Sequence, residues 1–336
     1  MKLPSRVRLT FYFLAFAGAA LFTLLLIREG APQVGKAIAS AGWAILAVIA
    51  FHLCVPVFLD ALAWWVLFPK NDRPPLRKIF GMRWIGESVS TLVPSAAVGG
   101  DIVRARLAAI KGAPLPVAAG TVLVDLTLGV FTQAAFTILG VALLVQATGQ
   151  KNLVGPTIIG TLIGVAAVGG FYFVQRLGMF RFLARMIAKL ANSPEWQSLV
   201  QSGETLDQTI RTLYARRRGV IACCAWTMLS LILNSGEIWI ALRALNLNAT
   251  VLNAIILQST VLTVRNVGFA VPSGLGVQEG GYVLIGSLLG IDGTNALALS
   301  LIARVRELAL GVPGLLTWQL IEGRRLLRPG SEPVAP

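Results

Sequence analysis

Charge is scarce in this chain. Only 13% of its 336 residues are charged, where a soluble domain carries about a quarter. Hydrophobic residues make up 56%, and the mean hydropathy is +0.75. That balance excludes an ordinary water-soluble fold and identifies an all-α integral membrane protein. Acid is scarcer than base, 15 Asp+Glu against 29 Lys+Arg. A pI near 10.7 raises nucleic-acid binding, and the apolar bulk argues against it. In a membrane protein the basic excess sits on the cytoplasmic side, facing anionic lipid.

Cysteine and histidine are scarcer still. Cys54, Cys223 and Cys224 lie inside apolar runs and read as small core residues, not a disulfide framework. His52 is the only histidine and builds no metal site alone. At mid-span it reads as a packed or hydrogen-bonded residue rather than a proton carrier. No Cys/His cluster, Walker loop, Rossmann glycine pattern or nucleophile elbow is present, and Gly99-Gly100-Asp101 is too short for a nucleotide loop. No cofactor, metal or catalytic residue is therefore expected. Any transport step would be driven by a gradient, a partner or downhill movement. No small-residue cleavage pattern ends the first apolar run, so no cleavable signal is expected.

Six runs are long enough to span: Leu9–Ile27, Trp43–Phe68, Leu115–Val145, Val154–Val174, Val220–Leu242 and Ala296–Leu320. Two more apolar segments are interrupted. Ile79–Ile110 breaks at Pro94 and Gly99-Gly100, and Leu252–Leu289 at Pro272, Gly274 and Gly276. Basic residues orient the runs. Lys2, Arg6 and Arg8 place the N-terminus inside, and a short outer loop carries Arg28, Glu29 and Lys36. Lys70 to Lys78 and Arg104 to Lys111 both read as inside, so the first broken segment enters and returns from the cytoplasm. The second starts and ends outside, because Gly290 to Asn295 carries no base. Arg324, Arg325 and Arg328 bring the C-terminus inside. The expected bodies are residues 1–175, a basic interfacial segment 176–218, residues 219–322 and a tail 323–336. Within 176–218, Phe180 to Leu190 has the spacing of an amphipathic interfacial helix. For Pro194 to Thr212 a solvated linker is the alternative reading, nearly as good.

The two broken segments repeat. Val93-Pro94-Ser95 precedes Asp101, and Val271-Pro272-Ser273 precedes Glu279, at the same spacing. Glu87 and Arg265 each lie seven residues before the proline. Asp125-Leu-Thr-Leu-Gly129-Val matches Glu307-Leu-Ala-Leu-Gly311-Val. Two re-entrant helical hairpins, dipping from opposite sides, make an inverted-topology repeat, the pattern that places a transporter's binding site.

Ten ionisable residues fall in the apolar segments: Asp60, Glu87, Asp101, Asp125, Glu237, Arg265, Glu279, Arg304, Arg306 and Glu307. Each would cost roughly 2.5–3.5 kcal/mol facing lipid, so they must face inward and pair or meet water. Matched signs suggest Arg265 with Glu87 or Asp101, and Arg304 with Asp125 or Glu279. Buried pairs often only fix helix register, and Asp60 and Glu237, near span ends, read that way. Asp101 and Glu279 follow directly after the breaks, where half-helix ends can hold an ion or a lipid headgroup. Pro56 and Pro313 read as ordinary kinks.

Gly86 to Leu126, with Arg104, Gly112 and Val124-Asp125, resembles the flippase-like membrane domain of lysylphosphatidylglycerol synthases. So does Gly268 to Gly281, with Arg304 and Glu307. The resemblance covers roughly Leu9 to Leu320, and the run through Tyr282 is most similar to a branch associated with hopanoid biosynthesis. It implies movement of a lipid or its headgroup between leaflets of a bacterial inner membrane. Motif match then puts Asp101, Arg104, Asp125, Glu279, Arg304 and Glu307 around the lipid path. Glu87 and Arg265 join them as the charges flanking the breaks. Full synthases carry a soluble aminoacyl-transfer domain after the membrane part. This sequence ends at Pro336, so lysyl transfer is not expected of it. Membrane lipids are the expected partners, with lipid-synthesis enzymes as further ones. The rival expectations are a small-solute carrier, a lipid-acting enzyme using Asp101 and Glu279 as acid and base, and a scaffold for lipid synthesis.

Overall fold

A computed structural model describes residues 21, 23–93, 99–149, 166, 169–170, 172–175, 177, 195–267, 271 and 274–326. Among these residues every regular element is helical. The elements are α1 (Ala31–Ala41), α2 (Ala44–Cys54), α3 (Pro56–Trp65), α4 (Leu76–Leu92), α5 (Gly99–Ile110) and α6 (Leu115–Thr148). Then come α7 (Glu195–Ala215), α8 (Arg217–Ala244), α9 (Val251–Val267), α10 (Val277–Leu288) and α11 (Gly293–Leu326). A 3-10 turn, Lys70–Asp72, leads into α4.

Three stretches are long and apolar enough to cross a membrane: Ala44–Trp65, Leu115–Thr148 and Arg217–Ala244. They are the expected second, third and fifth spans. The first and fourth fall mostly outside the described residues, as do the amphipathic stretch Phe180–Leu190 and residues 327–336. The last span is there as α11, but Arg304, Arg306 and Glu307 interrupt its apolar run. Large apolar side chains such as Ile27, Trp43, Ile102, Leu284 and Leu320 stand exposed on the outside. Their solvent is the lipid that the composition calls for.

Local chemistry explains the breaks. Pro56 opens α3, and Val55 between α2 and α3 has φ −112 and ψ −71. The second span is therefore kinked where a proline removes an N–H. Pro313 lies inside α11 and supplies no N–H to the turn before it. There the Leu310 carbonyl accepts from Trp84 Nε1 at 3.0 Å and from Ser88 Oγ at 3.3 Å. Side chains of α4 thus bond to the backbone of α11 beside the proline. Gly274 and Gly276, at φ 58 and 78, turn the chain in the left-handed region just before α10.

Both interrupted segments form helical hairpins, α4–α5 and α9–α10. The second arms, α5 and α10, have 12 residues each. At 1.5 Å per residue such an arm is about 18 Å long, too short for a core of about 30 Å. The arms of the first hairpin touch closely. A Cβ on Gly100 would strike the Gly86 carbonyl oxygen and Ser90 Oγ, and one on Gly86 would strike the stem of Arg104.

The packing follows one rule twice. Exchange α1 through α6 with α7 through α11, taking α2 and α3 together against α8, and the neighbours correspond. Helix α4 packs on α11, and α9 on α6. Helix α5 packs on α6, and α10 on α11. Helix α1 packs on α11, and α7 on α6. Each long helix therefore holds its own hairpin's second arm and the other hairpin's first arm. The α2–α3 pair lies against α8 at the centre. Trp64, Phe68, Ile79 and Leu107 fill the core around the first hairpin, and Ile256, Leu257 and Leu297 the core around the second.

Two expectations need correction. The outer loop with Lys36 is a helix, α1, whose Val34 and Ala41 are buried. Residues 195–215 are no linker. They form α7, whose Ile210 and Leu213 are buried in the core shared with α3, α6 and α8. Apolar residues at helical spacing pull the segment onto α6. Tyr214 donates to Gln175 Oε1 at 2.9 Å, and Gln175 reaches Thr127 of α6.

Candidate functional site

Two chains of charge sit at corresponding places. In the first, Arg83 of α4 reaches Asp125 of α6 at 3.3 Å, and Asp125 accepts from Arg104 of α5 at 2.8 Å. Arg104 also holds Asp101, one turn earlier, at 2.6 Å. In the second, Arg265 of α9 reaches Glu307 of α11 at 2.6 Å, and Glu307 accepts from Arg304 at 3.1 Å. Arg304 also holds Glu279 of α10 at 3.0 Å. The order is the same in both: arginine of the first arm, carboxylate of the long helix, arginine, carboxylate of the second arm. The middle arginine differs in origin. It comes from the hairpin in the first chain and from the long helix in the second.

Arg104, Asp125, Glu279 and Glu307 have left water, so their pairing is obligatory. Glu279 is fully buried and its carboxylate is fully engaged. One oxygen accepts from the Gly276 N–H at 2.6 Å, at the start of α10. The other takes Arg304 and, at 3.4 Å, Ser300 Oγ. An acid at this position complements the helix N-terminus. Asp101 is more open, its side chain 17% exposed. Arg104 also lies 5.1 Å from the centre of the Trp64 ring, a cation–π contact that fixes the guanidinium.

A third group adjoins the second chain. His52 of α2 lies between two carboxylates, Nδ1 at 2.9 Å from Glu237 of α8 and Nε2 at 2.9 Å from Glu87 of α4. Arg306 of α11 pairs with Glu237 at 3.0 Å and stands 3.6 Å from Glu307. Asp60 pairs with Arg83 at 2.8 Å. Each of the seven acids among the ten ionisable residues thus has a cationic or imidazole partner.

All eight expected path residues, Glu87, Asp101, Arg104, Asp125, Arg265, Glu279, Arg304 and Glu307, belong to these three groups. The pairings differ in part. Arg304 takes Glu279, one of its two expected partners, and not Asp125. Arg265 takes Glu307, not Glu87 or Asp101. The hairpins pack on the long helices and not broadly on each other, so the acid facing Arg265 belongs to α11. Pro94 and Pro272 lie outside the described residues. Gly99 and Gly100 open α5, and Gly274 and Gly276 precede α10. Asp60 and Glu237, expected to be register-fixing pairs, are members of the network as well.

Two participants, Arg83 and His52, are not among the ten ionisable residues. Arg83 has a usable signal, since it precedes Glu87 by one helical turn on the same face. His52 has none in the sequence, because its two carboxylates come from distant helices. The three cysteines are free, and Cys54 faces outward, not into the core. No group of three or more metal-ligating side chains occurs among the described residues.

The fold and the buried network define an all-α membrane protein. The chain belongs to the lysylphosphatidylglycerol synthase transmembrane-region family, whose model matches residues 11–314. That family places it in lipid-related membrane processes. No curated protein matches the chain.

Proposed function

We propose that the protein is a lipid translocator, moving a lipid or its headgroup between the leaflets of a bacterial inner membrane. The observation that carries this is the paired charge chains, one at each hairpin, in a member of a lipid-linked family. A headgroup crossing hydrocarbon must exchange water for other polar partners. Ion pairs supply them: an anionic group can displace a carboxylate from Arg104 or Arg304, and a cationic group can displace the arginine. The acyl tails stay in the bilayer throughout.

In this reading the basic loops place both termini and the Lys70–Lys78 loop in the cytoplasm. The hairpins then dip from opposite sides, as an inverted repeat. The packing exchange supports that arrangement. The protein acts as a carrier rather than a catalyst, with anionic lipid against its cytoplasmic face. A hopanoid or another envelope lipid is the cargo suggested by the Val271–Tyr282 run. Neighbouring lipid-synthesis enzymes would supply it.

A small-solute carrier is the second reading. The paired charges at the hairpins would serve a charged solute as readily as a headgroup. Reconstitution into vesicles of phosphatidylethanolamine and phosphatidylglycerol separates the two. Tail-labelled lipids should change leaflet faster than in protein-free vesicles. No acceleration for any headgroup, hopanoids included, would end the translocator reading.

A further inference from the structure

The Glu87–His52–Glu237 line has a pocket at each end. At the Glu87 end lies the cavity between α4 and α11, bordered by Trp84, Ser88 and Leu310. At the Glu237 end lies a second small pocket, bordered by Val48, Tyr282, Leu299 and Ile302. On α11 the first pocket runs along residues 306–311 and the second along 299–303. At 1.5 Å per residue they are about 10 Å apart along the helix. On the second span Val48 borders the second pocket, while His52 and Val57 border the first. Both helices thus give the same order in depth. The first pocket lies toward the Lys70–Lys78 end, and the second toward the Asp292 end.

His52 is 5% exposed and Glu237 7%, whereas the Glu87 side chain is 36% exposed. Both ring nitrogens meet a carboxylate, and a neutral imidazole has only one N–H to give. Donating to both carboxylates at once therefore requires the imidazolium. Arg306 also faces the ring, its Nη1 at 2.6 and 2.9 Å from the two nitrogens. Lone pairs that diverge across the ring cannot both aim at one atom. Arg306 is a cation packed on the imidazole, balancing Glu237, and the carboxylates define the line of transfer. Arg83, one turn from Glu87, and Glu307 and Tyr282, beside Arg306 and Glu237, complete the charged and titratable surroundings.

We propose that Glu87, His52 and Glu237 form a proton relay joining the two pockets, and that proton movement through it drives the translocation step. This coupling rests on the translocator reading, whereas the relay itself does not. With the ring as imidazolium, its Nδ1 hydrogen passes to Glu237, which releases one proton to the second pocket and leaves the ring neutral with its hydrogen on Nε2. A ring turn brings the bare nitrogen toward Glu87, which takes a proton from the first pocket and passes it to that nitrogen, restoring the imidazolium. One proton enters and one leaves, in either direction. Glu87 belongs to the first hairpin and Glu237 to the central span, so the shared proton ties the hairpin to the core. Its loss leaves facing carboxylates and loosens that tie.

The test uses the full chain in vesicles of phosphatidylethanolamine and phosphatidylglycerol. Pyranine is trapped inside, tail-labelled lipid serves as cargo, and valinomycin with potassium clamps the potential. A step of about one pH unit should produce protein-dependent proton flux and shift the steady-state leaflet ratio by about tenfold per coupled proton. His52→Gln should abolish the flux and the shift. Glu87→Gln is the second variant should the first not fold, judged by a monodisperse elution profile. Lipid movement indifferent to the gradient, with no proton flux, would overturn the relay and leave the translocator standing. Flux requiring His52 without any lipid movement would support the relay and overturn the translocator and the coupling. Absence of both would overturn both.

Discussion

Arg104 and Arg304 hold the same place in two chains of charge but reach it from opposite sides. Arg104 stands on a hairpin and bonds Asp125 of the long helix at 2.8 Å. Arg304 stands on the long helix and bonds Glu279 of the hairpin at 3.0 Å. What the two halves share is therefore the order of charges, while the backbone supplying the middle cation differs. Each arginine also bonds the carboxylate three residues away on its own helix, Asp101 or Glu307. A hairpin carboxylate and a long-helix carboxylate are thereby joined through one guanidinium in both halves, which suits a fork that binds two acids at once.

Asp125 and Asp101 should differ in cost. Asp125 serves two arginines and is nearly buried, while Asp101 serves one and is partly open. Asp125→Asn should destabilise by about 3–5 kcal/mol, the usual cost of breaking a buried pair. Asp101→Asn should cost about 1.5–3 kcal/mol, that of one charged hydrogen bond. Thermal unfolding in detergent would show it, and equal or reversed losses would argue against the network as described.

Helix contact through small residues gives a second expectation. A Cβ on Gly140 of α6 would run into Ser259 of α9, whereas Gly129 has open space. Gly140→Ala should destabilise by about 1–3 kcal/mol through overpacking. Gly129→Ala should be neutral or stabilise by up to about 1 kcal/mol. Adding Ser259→Gly to Gly140→Ala should recover stability. No recovery would mean that α6 and α9 do not meet there.

The membrane orientation is open to labelling. In a background without Cys54, Cys223 and Cys224, a cysteine is placed at exposed Lys78 or exposed Asp292. An impermeant maleimide on intact cells should label Asp292→Cys. Lys78→Cys should react only after permeabilisation. The reverse pattern would invert the orientation, and labelling of both from outside would break the inverted repeat.

Much of this is legible in the chain because membrane burial leaves few choices. A proline or a pair of glycines inside an apolar run forces a break, and both breaks are followed by an acid at the same spacing. From that alone the hairpins and Asp101, Glu279, Asp125 and Glu307 could be picked out. Pair identities could not, because they depend on which helices touch. Arg265 has the position of Glu87 in the repeat, yet it meets Glu307, since α11 lies nearer to it than the other hairpin does. Arg83 hides beside Arg77 and Lys78 and looks like the end of a cytoplasmic basic run. His52 is a lone histidine until α4 and α8 bring it two carboxylates. Helix α7 was obscured for another reason. Its charged and amide residues suit water on one face, while Ile210, Leu213 and Tyr214 suit a core on the other.

The most direct measurement is leaflet movement of tail-labelled lipid in vesicles, comparing wild type with Asp101→Asn and Glu279→Gln. Each variant, folded by its elution profile, should slow translocation by about tenfold or more, since each opens one of the two chains. Both variants moving lipid at the wild-type rate would contradict the placement of the path at the hairpins and return the two acids to a structural role.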